Sequence, residues 1–205
     1  ADYGNLPARG GEKIQLEYVS ANPTGPLHVG HGRGAAVGSS LANLLKAAGY
    51  DVTREYYIND AGNQINNLAA SVNARYLEEL GVDVEFPENG YHGYDIVETA
   101  KRIVKIYGDK FLHMDEQERL HEFRTIALKE KLAALKEDLE AFNVTFDVWF
   151  SEQTLHDADK INEACELLTE RGYMYEKDGA LWLKATAYGC LLYTSPSPRD
   201  KRQSR

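Results

Sequence analysis

The chain has 205 residues, 43% of them hydrophobic and 27% charged, and a formal net charge of -9. These values belong to an ordinary globular protein, and the length allows one large domain or one domain with an insertion. No apolar run reaches membrane-spanning length, no signal peptide opens the chain, and Cys165 and Cys190 make no disulfide framework, so a reducing, cytoplasmic setting is expected.

Residues 1–13 are polar and Gly-rich, contain Pro7, and read as a linker. The apolar run 14–20 predicts a first strand, and 32–49 predicts a helix with Val37, Leu41, Leu44, Leu45 and Ala48 on one face and Gly49 at its end. Residues 51–58, rich in β-branched and aromatic side chains, predict a second strand. Strand, helix and strand in this order predict a parallel βαβ unit, whose ligands bind beyond the C-terminal ends of the strands. The turn Asn59-Asp60-Ala61-Gly62-Asn63-Gln64 falls on that rim. It also reads as a plain Asx turn in which Asp60 or Asn63 caps the next helix. That helix has Ile65, Leu68, Ala69, Val72, Tyr76 and Leu80 at core spacing and stops at Gly81.

From residue 82 the alternation ends. A loop over 82–94 leads to a helix over 95–107, with Ile96, Ala100, Ile103 and Tyr107 on one face. A long helix over 115–143 carries a stripe of Leu128, Leu132, Leu135, Leu139 and Phe142. A short strand over 144–150 contains Trp149, and a helix over 157–171 turns Ile161, Ala164, Cys165 and Leu168 inward. Residues 173–185 predict a hairpin about Asp178-Gly179.

The stretch joining the first strand to the first helix carries the chemistry. Asn22, Pro23, Gly25 and Pro26 forbid regular structure there, which sets His28 and His31 on a strand-to-helix loop, His31 in the helix's first turn. Backbone N–H groups at a helix start lack partners, and the helix dipole favours an anion, so two imidazoles beside them suit a phosphate. Gly30 removes a side chain where a nucleotide base could lie, and Gly32 and Gly34 keep the first turn bare. A helix with Gly30, Gly32, Gly34 and Gly38 needs a close neighbour, either a ligand or a tightly packed strand. Three other readings exist. His-x-x-His could bind zinc, but no third ligand follows at helical spacing. Gly30-x-Gly32-x-x-Ala35 lacks the third glycine of a dinucleotide loop. The histidines could also be purely structural caps.

His28-Val-Gly-His31 resembles the HIGH motif of class I aminoacyl-tRNA synthetases, and the longer stretch 17–31, EYVSANPTGPLHVGH, is similar to the arginyl form of that motif. The short motif alone is shared with nucleotidylyltransferases; the extended one is far more specific. The resemblance covers roughly residues 12–189. It implies an α/β fold: the first half of a Rossmann-like class I catalytic domain over 14–80, interrupted by a mostly helical connective insertion over 81–189, after a linker over 1–13 from an N-terminal domain. It implies arginine activation by ATP, with Mg²⁺ accompanying the nucleotide, and transfer to tRNA(Arg) by an enzyme that is monomeric at full length. His28 and His31 would be catalytic and, with Gly30 and Gly32, bind ATP. Ser20 and Asn22 would hold the amino-acid end. Glu17 is an attractive partner for the guanidinium, because a carboxylate accepts two parallel hydrogen bonds from it; it also reads as an outward strand residue. The family's Asp-x-Gly-x-Gln matches Asp60, Gly62 and Gln64. No metal ligands are expected from the protein.

The resemblance places the Lys-Met-Ser-Lys loop, the second half of the nucleotide fold and a helical anticodon-binding domain after Gly189, so this chain is expected to be an incomplete, inactive fragment. Other readings are a small-molecule nucleotidylyltransferase or a non-catalytic nucleotide-binding module. Residues 190–205 carry a net charge of +3, leaving -12 for the rest, so most of any surface for tRNA phosphates is expected elsewhere. Cys190-Leu-Leu-Tyr-Thr-Ser195 can be encoded by TGT CTC TTA TAC ACA TCT, which is similar to a transposase sequencing adapter, and 190–205 is expected to be a non-native tail.

Overall fold

The computed structural model of the protein describes residues 3–177 and 179–188. The proposed tail, 190–205, lies outside these residues. The chain forms two compact units, divided between Gln153 and Thr154.

In the first unit, β1 (Lys13–Glu17), β2 (Asp51–Ile58) and β3 (Val148–Ser151) form one sheet in the order β1-β2-β3. Both pairings are parallel, with Glu17 opposite Glu55 and Tyr56 opposite Trp149. Helix α1 (Val29–Ala47) joins β1 to β2, the expected βαβ arrangement. The third strand was expected inside the insertion, yet it pairs with β2. Trp149 stacks on Tyr56 with ring centroids 4.5 Å apart. Asp147 accepts from both the backbone N–H and the guanidinium of Arg54. A four-residue strand does not encode which sheet it joins; these cross-strand contacts decide it.

Strand β1 ends three residues before the expected Ser20, because Val19 and Ser20 take positive φ values of 66° and 38°. Such a backbone is rare for any residue with a Cβ and most unusual for a β-branched one.

Helix α1 buries a different face from the one its large side chains suggest. Ala35 and Ala42 are fully buried, whereas Val37 and Leu44 are 65% and 68% exposed. Its underside is made of small residues because the strand is close. A Cβ at Gly38 would stand 2.2 Å from the Tyr18 ring. Gly49, just past the helix, has φ +91°, and a Cβ there would meet the Pro7 carbonyl. The opening stretch is therefore held against the end of α1. Leu6 N–H donates to the Ala47 carbonyl, and the Arg9 guanidinium donates to the Ala48 carbonyl.

Helices α2 (Asn63–Glu79), α3 (Tyr94–Tyr107) and α4 (Glu116–Ala141) enclose a core that includes Leu68, Val72, Tyr76, Ile96, Ile103, Phe111 and Phe123. Asp115 caps α4 by accepting from Gln117 N–H and Glu118 N–H. The buried face of α4 runs Arg119, Phe123, Ala127, Lys131, Leu135 and Leu139 in steps of four. Only Leu135 and Leu139 of the expected stripe are fully buried, and Phe142 is exposed. Two buried cations displace the leucines because each finds partners. Arg119 donates to Asn73 Oδ1 and the Met114 carbonyl, and Lys131 pairs with Asp95.

From Thr154 the second unit has all but the first residue of α5 (Gln153–Asp157), then α6 (Lys160–Glu170), an antiparallel hairpin of β4 (Met174–Lys177) and β5 (Ala180–Leu183), and a 3₁₀ turn over Ala185–Tyr188. The hairpin lies where expected. The expected helix over 157–171 begins later, after Asp159 in the left-handed region, and no residue of α6 is buried.

Candidate active site

The signature loop is built from β1 outward and held from β2. Tyr56, fully buried, donates its hydroxyl to the Ala21 carbonyl at 2.9 Å. Burial pushes that hydroxyl up to about 12, while the bond to Ala21 pulls the other way. Tyr57 N–H donates to Ser20 Oγ at 3.0 Å, and Asn59 Nδ2 donates to Asn22 Oδ1 at 3.2 Å. Tyr56 and Tyr57 of β2, and Asn59 just past its end, thus hold residues 20–22. One of the held residues, Ser20, has positive φ, as does Val19 before it, and strained backbone of this kind is common at functional sites.

His28 is the N-cap of α1. Its Nδ1 accepts from Gly30 N–H at 3.1 Å, and His31 Nδ1 accepts from His28 N–H at 3.2 Å. The result is a reciprocal capping box made by two histidines. The rings stack with centroids 3.8 Å apart. The capping reading is met by the Nδ1 atoms. With Nδ1 accepting, the neutral ring carries its proton on Nε2, which makes Nε2–H the donor nitrogen of each histidine. Gly30 answers to the cap first. A Cβ on it would sit 2.9 Å from His28 Cε1, so the bare backbone accommodates the imidazole. At Gly32 and Gly34 a Cβ would meet nothing within 4 Å.

The rim turn after β2 behaves differently from an Asx cap. Asp60 is buried, and its carboxylate accepts from Ser151 Oγ at 2.6 Å and from Gln153 N–H at 2.9 Å. Its carbonyl accepts from Arg124 of α4 at 3.0 Å, and the same guanidinium nitrogen donates to Gln153 Oε1. Asp60 therefore ties the ends of β2 and β3 to α4. Gly62 is the N-cap of α2 without a side-chain cap, and Gln64 is exposed.

Glu17 ends β1 on the same sheet side as Gln15, which donates to Glu55 at 2.7 Å. Tyr56 and α1 lie on the other side of the sheet, since Tyr56 packs in the cluster containing Ala35. The predicted residues are thus gathered along one rim but approach it from two faces. A cavity of about 280 Å³ touches the loop at Gly25 and Pro26, with Asp95, Arg102, Glu130 and Lys131 among its walls; none of the predicted site residues lines it. Among the described residues no group of three or more His, Cys, Asp or Glu could hold a metal ion. No helix among them is long and apolar enough to cross a membrane.

Asn59, Tyr56, Arg124, Ser151 and Gln153 were not singled out in the sequence. Asn59 was named only as the first residue of the rim turn, and no role was given to it. The others act across 29 to 93 positions of chain, which no local pattern reports.

Residues 3–195 match the family described as tRNA synthetases class I (R), catalytic domain, and the chain belongs to that family. Its α/β fold with a parallel sheet is the Rossmann-like catalytic fold of that class. It is 58% identical over 187 residues to the arginine--tRNA ligase of Carboxydothermus hydrogenoformans and 59% to that of Geobacillus thermodenitrificans. Those alignments take in 91% of this chain and 34% of each relative, so the chain spans about a third of their length. A solved Thermus thermophilus arginyl-tRNA synthetase superposes with a TM-score of 0.58 at 27% identity, covering 89% of this chain and 31% of that one.

Proposed function

We propose that this segment supplies the amino-acid and ATP-phosphate half of an ATP-dependent arginine--tRNA ligase. The observation that carries the reading is the histidine pair at the start of α1, with both Nδ1 atoms engaged by backbone N–H groups. Such a pair offers Nε2–H donors beside the positive end of a helix, where phosphate charge is favoured. Arginine's carboxylate attacks the α-phosphorus of ATP, and pyrophosphate leaves. The aminoacyl group then passes to the terminal adenosine of tRNA(Arg). Phosphoryl chemistry of this kind depends on positioning and charge stabilisation.

His28 and His31 donate to phosphate oxygens as charge moves onto the departing pyrophosphate, and Gly30 and Gly32 leave room for the nucleotide. Ser20 and Asn22 hold the α-amino and carboxylate end of arginine. Glu17 accepts from the guanidinium. Asp60, Gly62 and Gln64 support the rim. Mg²⁺ would accompany ATP as part of the nucleotide substrate. The enzyme is read as a cytoplasmic monomer at full length. The test is arginine-dependent pyrophosphate exchange by a full-length ligase carrying this segment, with and without tRNA(Arg). Exchange that follows arginine supports the reading; exchange indifferent to arginine overturns it.

A further inference from the structure

We infer that Asn59 is a positioning residue that decides which end of the Asn22 carboxamide meets arginine. The inference rests on the proposed reading that Asn22 contacts the amino acid. A carboxamide has two unlike ends: an oxygen that only accepts and an NH₂ that only donates. Asn59 Nδ2 donates to Asn22 Oδ1 at 3.2 Å, which engages the accepting end on the β2 side. The donating end is then the one turned to a ligand. Two N–H groups suit a carboxylate and repel an ammonium, so Asn22 is assigned to arginine's carboxylate and not to its α-amino group.

The surroundings make the orientation durable. Ala21 and Pro23, on either side of Asn22, are buried. The Ala21 carbonyl is held by Tyr56, and Ser20 is held by Tyr57 N–H. The residue next to Asn59, Asp60, is fixed to Ser151 and Gln153 on the far side of β2. Of these three held groups, the Asn22 carboxamide is the one with two unlike ends, so its partner sets which end is turned outward.

The test uses a full-length ligase carrying this segment. The measured quantity is its preference for L-arginine over L-argininamide, which keeps the guanidinium and amino groups but replaces the carboxylate with a neutral amide. Asn59→Asp removes the donor and adds an acceptor, so Asn22 turns its NH₂ toward residue 59 and its oxygen toward the ligand. The preference should fall by about tenfold or more, the scale of losing a hydrogen bond to a charged group, with KM for ATP unchanged. Asn59→Ala releases Asn22 without reversing it, and the fall should be smaller but present. Equal weakening of both ligands overturns the inference, since it reports general damage. A normal preference in Asn59→Ala also overturns it, since the aspartate effect is then charge repulsion alone. Asn22→Ala separates the two levels. If it raises KM for arginine while both Asn59 variants are silent, the reading of Asn22 stands and the inference falls. If it leaves KM for arginine unchanged, the role of Asn22 fails and the inference fails with it.

Discussion

At the scale of residues, each histidine has one observed job and one proposed job, divided between its two nitrogens. Nδ1 caps the helix, and Nε2–H is the donor proposed for phosphate. Asparagine is a good N-cap, but its shorter side chain places no donor where the histidine Nε2–H reaches. His28→Asn should therefore keep thermal stability close to that of the parent while slowing adenylate formation by about 10²–10³, with little change in arginine affinity. His28→Ala should lose the rate and about 1 kcal/mol of stability together. Stopped-flow adenylate formation and a melting curve separate the two; a full rate in His28→Asn removes this histidine from the chemistry. Glu17→Gln keeps the shape and deletes the charge, so KM for arginine should rise far more than KM for ATP. Equal changes would make Glu17 structural. Tyr56 gives a pH dependence of stability. Its hydroxyl titrates near 12 in the folded chain, against the usual 10. Between those values the unfolded chain has released a proton that the folded chain keeps, so this group's stabilisation is complete below pH 10 and fades as pH rises toward 12. Urea unfolding of parent and Tyr56→Phe across that window should show the phenylalanine variant losing less stability with rising pH.

At the scale of elements, α1 shows how packing assigns meaning to glycines that look alike in the sequence. Gly38 lies against Tyr18, and a methyl group there would overlap the ring. Gly32 faces open space. Gly38→Ala should destabilise by about 1–3 kcal/mol through overpacking, whereas Gly32→Ala should stabilise by roughly 0.5–1 kcal/mol through lower chain entropy. Calorimetric melting of the two variants gives opposite signs if α1 is seated as described. Helix α4 carries a related lesson. Its leucines suggested the buried stripe, but Arg119 and Lys131 take buried positions because Asn73 and Asp95 wait on facing helices.

At the scale of the whole molecule, apolar surface stands uncovered. Val37, Leu41 and Leu44 form one exposed stripe on α1, and Leu181, Trp182 and Leu183 are exposed on the hairpin. The net charge of -9 disfavours binding to tRNA phosphates. Residues 1–189 by themselves should therefore show no arginine-dependent pyrophosphate exchange, with or without tRNA, and at best weak ATP binding, because a wet, open site weakens each contact. Clear exchange by that segment would show that the histidine loop needs less enclosure than argued.

Sequence by itself determined what is local. The βαβ start, the loop that sets His28 and His31 at a helix N-terminus, the hairpin and the core spacing of α2 all follow from periodicity and from residues that forbid regular structure, and these act over a few positions. Tertiary structure decided whatever needs partners distant in sequence. It placed β3 beside β2, selected the small-residue face of α1 against Tyr18, and buried two cations on α4. It turned Asp60 from a helix cap into a tie across 93 positions to Gln153, and set Asn59 against Asn22. Side chains of the same type can serve either role, and only the groups brought opposite them in the folded chain choose between the two.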